Sequence, residues 1–241
     1  MPDAATWAKA RFVARRRSPL RLLALGVVWA GLALLALFVS LVALYTVTRP
    51  ISTLMLARTI EGKSYQRIYA PLRTIAPTAL AAVIASEDAS FCDNDGVDWG
   101  ALREVVSGAG ERGPSRGAST ITMQTAKNLF LWPGRSTIRK GIEIGMALVL
   151  GEAWSKARTL EIYLNIAEWG DGIYGIEAAA QRHFHKNASQ LNPREAALLA
   201  TALPNPILRS PAHPTPLQRR LASSLEARAH EGADLLKCLH L

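Results

Sequence analysis

TIRKGIEIGMALVLGEAWSKARTLEIYLNIAEW, residues 137–169, sets the character of the fold. Apolar residues recur at i, i+3 and i+4 through two runs, 137–154 and 157–169, as they do on one face of a helix. The same spacing appears in ASTITMQTAKNLFL (118–131), GIEAAAQRHF (175–184) and NPREAALLATAL (192–203). Upstream, IYAPLRTIAPTALAAVIASEDASF (68–91) opens the folded region. Pro77 suits a first helical turn, and Leu80, Val83 and Ile84 mark an apolar stripe. No period-two strand pattern stands out, and STITM (119–123) is the one piece ambiguous between helix and strand. The expected fold class is mainly α.

Working outward, the 241 residues suit one domain plus an extra segment. The extra segment is Leu22–Thr48, where no residue is charged and Leu, Ala and Val dominate. A bilayer core takes about 20 apolar helical residues, so this run reads as a transmembrane anchor. A cleaved signal has a shorter apolar region ending in small residues, whereas Leu44, Tyr45 and Val47 stand here. Arg11, Arg15, Arg16, Arg17 and Arg21 flank the N-terminal side, and basic flanks stay cytoplasmic, so the rest is expected across the membrane. Residues 1–48 hold six basic residues and one acidic, more than half of the net +9. The pI near 10.0 is therefore largely a topology signal, and nucleic acid is not an expected partner.

The expected organisation is a basic tail (1–21), the anchor (22–48), an amphipathic connector (49–67), a helical domain (68–212) and a C-terminal tail (213–241). A Gly-, Pro- and Ser-rich loop interrupts the domain at Gly108–Gly117. Cys92 and Cys238 would both lie in the outer compartment and could pair there, although their distance in sequence and the terminal position of Cys238 count against a disulfide.

Three constellations carry chemistry. In EDASFCDNDGVDW (87–99), Glu87 leaves an apolar helix, where partial desolvation raises a carboxyl pKa toward values useful to a general base. Asp93, Asp95 and Asp98 suit caps or turns, and the spacing is not that of a calcium loop. In GASTITMQTAKNLFL (117–131), a helix would place Thr120, Gln124, Lys127 and Asn128 on one face, offering a hydroxyl, amides and an ammonium to phosphate or sugar oxygens, or simply a solvated face. In RSTIRKGIEIG (135–145), Arg139 and Lys140 are i+4 and i+3 partners of Glu143. This is either a surface ion pair or a carboxylate pinned among cations beside an anionic ligand. A carboxylate held among cations is a poor proton donor. A glycosidase needs such a donor, whereas a diphosphate leaves as a stabilised anion and needs cations. One base plus a basic cluster therefore suits transfer from a sugar diphosphate. A membrane anchor fits this, because a lipid-linked donor would be confined to the same bilayer.

These motifs resemble those of the peptidoglycan glycosyltransferases, glycosyltransferase family 51, from about Pro71 to Pro206. The first, E-D-x-x-F-x-x-H-x-G-x-D, matches at Glu87, Asp88, Phe91, Gly96 and Asp98. The second, G-x-S-T-I-x-x-Q-x-x-K-N, matches at Gly117, Ser119, Thr120, Ile121, Gln124, Lys127 and Asn128. R-K-x-x-E matches at Arg139, Lys140 and Glu143, and the fourth motif at Lys156, Leu160, Glu161, Tyr163, Leu164 and Asn165. The resemblance implies a lysozyme-like helical domain that polymerises lipid II. Glu87 would deprotonate the 4-hydroxyl of the acceptor sugar, and inverting transfer would release undecaprenyl diphosphate. Lys127, Arg139 and Lys140 would hold the diphosphate, with Glu143 orienting them or the donor. Ser119, Thr120, Gln124, Asn128 and Asp88 would contact substrate, while Glu161 and Asn165 look structural.

The implied partners are lipid II, the growing glycan chain, membrane lipids and other cell-wall synthesis and division proteins. The implied location is the bacterial inner membrane, single-pass, with the N-terminus cytoplasmic and the catalytic domain periplasmic. No cofactor is expected: a divalent ion such as Mg would screen a diphosphate, but no dedicated ligand set is visible. The chain departs from the family pattern in three places. Asn94 stands where His is usual and cannot titrate, Met123 replaces a common Gln, and His185 stands where Gly often follows Phe. Met123 should be harmless if that side of the helix packs inward, and His185 should affect a turn. No penicillin-binding serine motif is present, so no transpeptidase domain is expected. An inactive lipid II-binding scaffold and a lytic muramidase are the alternatives.

Overall fold

The computed structural model describes residues 19–107, 118–134, 136–231 and 233–240. Arg11 and Arg15–Arg17, and the loop 108–117 with Gly117, lie outside the described residues. The chain divides into two units, Met1–Leu44 and Tyr45–Leu241. In the first, α1 (Pro19–Leu44) runs 26 residues and is long and apolar enough to cross a membrane. The helix stops at Leu44, four residues short of the end of the uncharged run.

The second unit is helical, as the spacing implies: α2 (Thr53–Ile60), α3 (Pro77–Glu87), α4 (Trp99–Val106), α5 (Ile121–Phe130), α6 (Thr137–Ala153), α7 (Lys156–Ile166), α8 (Ile176–Phe184), α9 (Pro193–Ala202) and α10 (Pro216–Glu231). Local chemistry sets the boundaries. Ser52, Asp98, Thr120, Ser136, Ser155 and Asn192 each accept an orphan backbone N–H at the start of a helix. STITM thus resolves as a cap and the first turn of α5. At the end of α8, His185 adopts the left-handed conformation (φ 56°) that ends a helix, the turn role expected for it.

α3 is apolar all round and buries Ala79 to Ala85, as a helix at the centre of a core must. It packs against α9 and α10. The segment from 213 on, expected as a tail, is thus one wall of the core: α10 buries Gln218, Ala222 and Leu225. The connector also contains structure, since α2 packs on α5.

A small sheet has no counterpart in the sequence pattern. β1 (Gln66–Arg67), β3 (Ile173–Tyr174) and β2 (Glu168–Gly170) form three strands in the order β1-β3-β2. β1 runs parallel to β3, pairing Gln66 with Ile173, and β2 runs antiparallel to β3, pairing Glu168 with Tyr174. Strands of two or three residues are too short to show a period of two.

The cysteine pairing that the sequence leaves open is made: Cys92 and Cys238 form a disulfide, with Cα atoms 5.3 Å apart. Their separation of 146 positions counts against pairing, but α10 carries the chain back along α3 and delivers the C-terminal segment to the loop after Glu87. Lys237 also reaches Asp93 at 2.8 Å.

Candidate active site

Glu87 is the last residue of α3, where the helix leaves the core. Its half-buried carboxylate accepts a hydrogen bond from Gln124 Nε2 at 3.0 Å and one from Ser86 Oγ at 3.2 Å. Burial pushes its pKa above the ordinary carboxylate value, against the opposing pull of these two donors, Lys127 and Arg209. Gln124 is itself held: its Oε1 accepts from the Tyr163 hydroxyl at 3.1 Å, which turns its NH2 toward Glu87.

The next residue is held in a buried hydrogen-bond network. Asp88 is buried and accepts from Ile121 N (3.0 Å), Asn94 Nδ2 (3.0 Å) and Ser90 Oγ (3.2 Å). It fastens the end of α3 to the start of α5. Asn94 passes this network on, accepting from Gly96 N at 3.0 Å and bonding through its backbone carbonyl to Lys156. The residue replacing the family His is thus an uncharged link between Asp88 and Lys156. Gly96 has φ +103°, and a Cβ there would sit 2.6 Å from the Ala147 carbonyl, so the loop must lie against α6.

A second carboxylate sits one helix away. Glu143 is 2% exposed and lies between Arg139 Nη1 (3.0 Å) and Lys140 Nζ (2.7 Å), all on α6. Lys140 also donates to Ser119 Oγ at 2.6 Å. Arg139 is 8% exposed, and its Nε is shielded from solvent with no partner among the described residues. Burial lowers the pKa of Lys127, against the pull of Glu143 and Glu87 and with the push of Arg139 and Lys140. Lys127 therefore stands in the field of both carboxylates.

A cleft of about 590 Å³ runs over this arrangement. Glu87, Asp88, Ser119, Thr120, Gln124 and Lys127 line it. The Thr120 oxygen is engaged, however, donating to Gly96 O at 2.6 Å and capping Met123 N at 3.0 Å, as the oxygens of Asp88 are. Arg139, Lys140 and Glu143 are not among the residues lining the cleft, and Lys140 connects to the lining through Ser119. Asn128 is half-buried outside the cleft lining, with its backbone carbonyl accepting from Thr53. Met123 is fully buried. Glu161 accepts from Tyr69 Oη (2.7 Å) and Leu72 N (2.8 Å), and Asn165 pairs with both backbone groups of Ala70 at 2.8 Å; both hold the 69–72 segment in place.

Three residues at the site carry no functional signal in the sequence. Tyr163 belongs to a matched motif but has no part assigned by it. Arg209 and Arg228 belong to no motif at all. Arg228 lines the cleft and donates to Ala85 O at 3.4 Å from α10.

A poorly solvated carboxylate at a helix end and an ammonium line one cleft, with two further cations close by, an arrangement suited to group transfer with an anionic leaving group. The family model described as Transglycosylase matches residues 53–229. Among curated relatives, the biosynthetic peptidoglycan transglycosylase of Agrobacterium fabrum is 49% identical over 221 residues, 91% of this chain and 98% of that protein. Those of Mesorhizobium japonicum (50% over 214 residues, 88% and 91%) and Rhizobium johnstonii (44% over 242 residues, 100% and 95%) are similar. The chain belongs to the transglycosylase family, and it is a glycosyltransferase.

Proposed function

We propose that the protein, a peptidoglycan glycosyltransferase, polymerises lipid II through Glu87 and the cations around Lys127. The acceptor 4-hydroxyl loses its proton to Glu87, and its oxygen attacks the anomeric carbon of the growing chain from the face opposite the diphosphate. The bond to the diphosphate breaks, the configuration inverts, and undecaprenyl diphosphate departs with the electron pair. Lys127, Arg139 and Lys140 balance the charge that develops on it, Arg by a planar fork and Lys as point charges. Glu143 holds Arg139 and Lys140 in register, Ser119 fixes the Lys140 ammonium, and Gln124 orients the base. Asp88 and Thr120 shape the cleft wall behind them, and Asn128 contributes from the rim.

The observation that carries this reading is the position of Lys127, within the field of Glu87 on one side and of the Glu143 cluster on the other. A substrate reaching from the base to the cations crosses one continuous site. Arg139 Nε, buried and without a partner among the described residues, is a donor of the kind an anionic ligand satisfies. The expected location is the bacterial inner membrane, with α1 as a single-pass anchor and the catalytic unit in the periplasm. A disulfide in that unit supports an oxidising compartment.

The test is purified full-length protein with lipid II in detergent, beside Glu87→Gln and Glu143→Gln. Glycan strands from the wild type alone support the reading. Lipid II binding without product in the wild type would leave an inactive scaffold, and shortening of finished glycan would show a muramidase.

A further inference from the structure

A second cleft, of about 580 Å³, opens where the first one ends. The turn after α9 separates them: Leu203 and Pro204 line the first, and Pro206, Ile207 and Arg209 line the second. Arg209 belongs to both neighbourhoods, since its charge also acts on Glu87. The floor of the second cleft is the small sheet, through Gln66, Gly170 and Ile173.

Its electrostatics are one-sided. Arg182 and Arg209 line it, and among the described residues neither forms an ion pair. The carboxylate in the lining, Asp171, is already paired with Arg58, which also approaches Glu168 at 3.7 Å. Burial lowers the pKa of His183, against a backbone hydrogen bond with Trp169 and with Arg182 and His213 pushing the same way as burial. Its Nε2 is shielded and has no partner among the described residues. Beside these stand apolar surfaces: Ile207 is 65% exposed, and the Tyr65 ring is braced edge-on by Tyr174 at 5.6 Å.

We propose that this cleft binds the peptide carboxylates of the glycan being handled at Glu87, with Arg182 as the principal contact. The inference rests on the glycosyltransferase reading and adds a site for a part of the substrate that does not react. A chain assembled by displacing diphosphate carries that group only at the end held by Lys127, Arg139 and Lys140. Repeat units away from that end have no phosphate, and the fixed negative charges of a peptide-bearing glycan are its peptide carboxylates. Two guanidiniums without carboxylate partners, one of them also donating to Thr201 O at 2.8 Å, flanked by apolar surface, match an extended acidic peptide. Guanidinium forks pair with carboxylates in two-point geometry.

Arg182 is exposed and outside the catalytic machinery, so Arg182→Glu should fold and retain the first coupling. The experiment compares full-length wild type and Arg182→Glu on lipid II with free peptide carboxylates and on lipid II with those carboxylates converted to amides. Strand length and the rate of the first coupling are both read. On the free-acid substrate the variant should make strands roughly three- to ten-fold shorter, the effect expected when one partly exposed ion pair with the substrate is removed. Its first coupling should match the wild type. On the amidated substrate the two proteins should make equally short strands. Equal lengths on the free-acid substrate, or the same shortening by the variant on the amidated one, overturn the proposal; the latter would point to a phosphate or lipid headgroup in the cleft. A wild type that makes no strands from either substrate instead overturns the glycosyltransferase reading beneath it.

Discussion

Glu87 receives hydrogen bonds from an amide and a hydroxyl, whereas Glu143 is bracketed by a guanidinium and an ammonium. Both are carboxylates at or behind one cleft, and Lys127 stands between them. The first has neutral partners and a raised pKa, so it can accept a proton and give it up again. The second is locked into an ion-paired scaffold that aims two cations. Its geometry is suited to placing positive charge for an anionic leaving group. The difference teaches how partners set what a carboxylate can do: helix spacing supplies those of Glu143, whereas Glu87 takes one from its neighbour Ser86 and one from a different helix.

The comparison breaks most sharply if the two carboxylates are interchangeable. Glu87→Gln removes the base while keeping its shape and its bond to Gln124. Turnover of lipid II should fall by about 10²–10⁴-fold, the usual contribution of a general base, with an unchanged melting temperature. Arg139→Met should instead be felt first in stability. It leaves the buried Glu143 with one cation, and breaking a buried pair costs about 3–5 kcal/mol, read as a lower denaturant midpoint. A variant as stable as the wild type would show that the cluster is solvated and that Glu143 is not part of a buried scaffold.

The Glu87 side has a support that the Glu143 side lacks. The disulfide ties the loop after Glu87 to the segment following α10. Replacing both cysteines by serine should lower stability by about 2–5 kcal/mol, measured by chemical unfolding of the full chain. The smallest effect sharpens the comparison further. Tyr163→Phe frees the Gln124 amide to rotate, at about 0.5–1.5 kcal/mol for the missing hydrogen bond. With a poorer donor at Glu87, its pKa should climb further, and the acid limb of the rate profile should move to higher pH.

Much of this arrangement is legible in the sequence. Helix spacing implies the helical character, and the structure brings the motif residues Glu87, Gln124 and Lys127 to one cleft. His185 forms a turn as expected, and Met123 meets the condition for being harmless by packing inward. What stays hidden is non-local or too short to be periodic. The sheet has strands of two and three residues. The cysteines are 146 residues apart and meet only because α10 packs on α3. Arg209 and Arg228 reach the Glu87 end from beyond α9, a region without a recognisable pattern. Helix-face spacing marks Thr120 as a ligand for substrate, yet its hydroxyl caps α5, because a Thr before a helix start satisfies the backbone first.

The most direct test is the pH dependence of kcat/KM for lipid II in the wild type, Glu87→Gln and Lys127→Met. A base works only when deprotonated, so the wild-type rate should rise with pH through a single limb centred above the ordinary carboxylate pKa of 4.5. That limb should vanish in Glu87→Gln. In Lys127→Met it should shift to higher pH, because without the ammonium the charged carboxylate is less favoured. A limb that persists unchanged in Glu87→Gln, or stays in place without Lys127, would contradict a base poised against fixed positive charge.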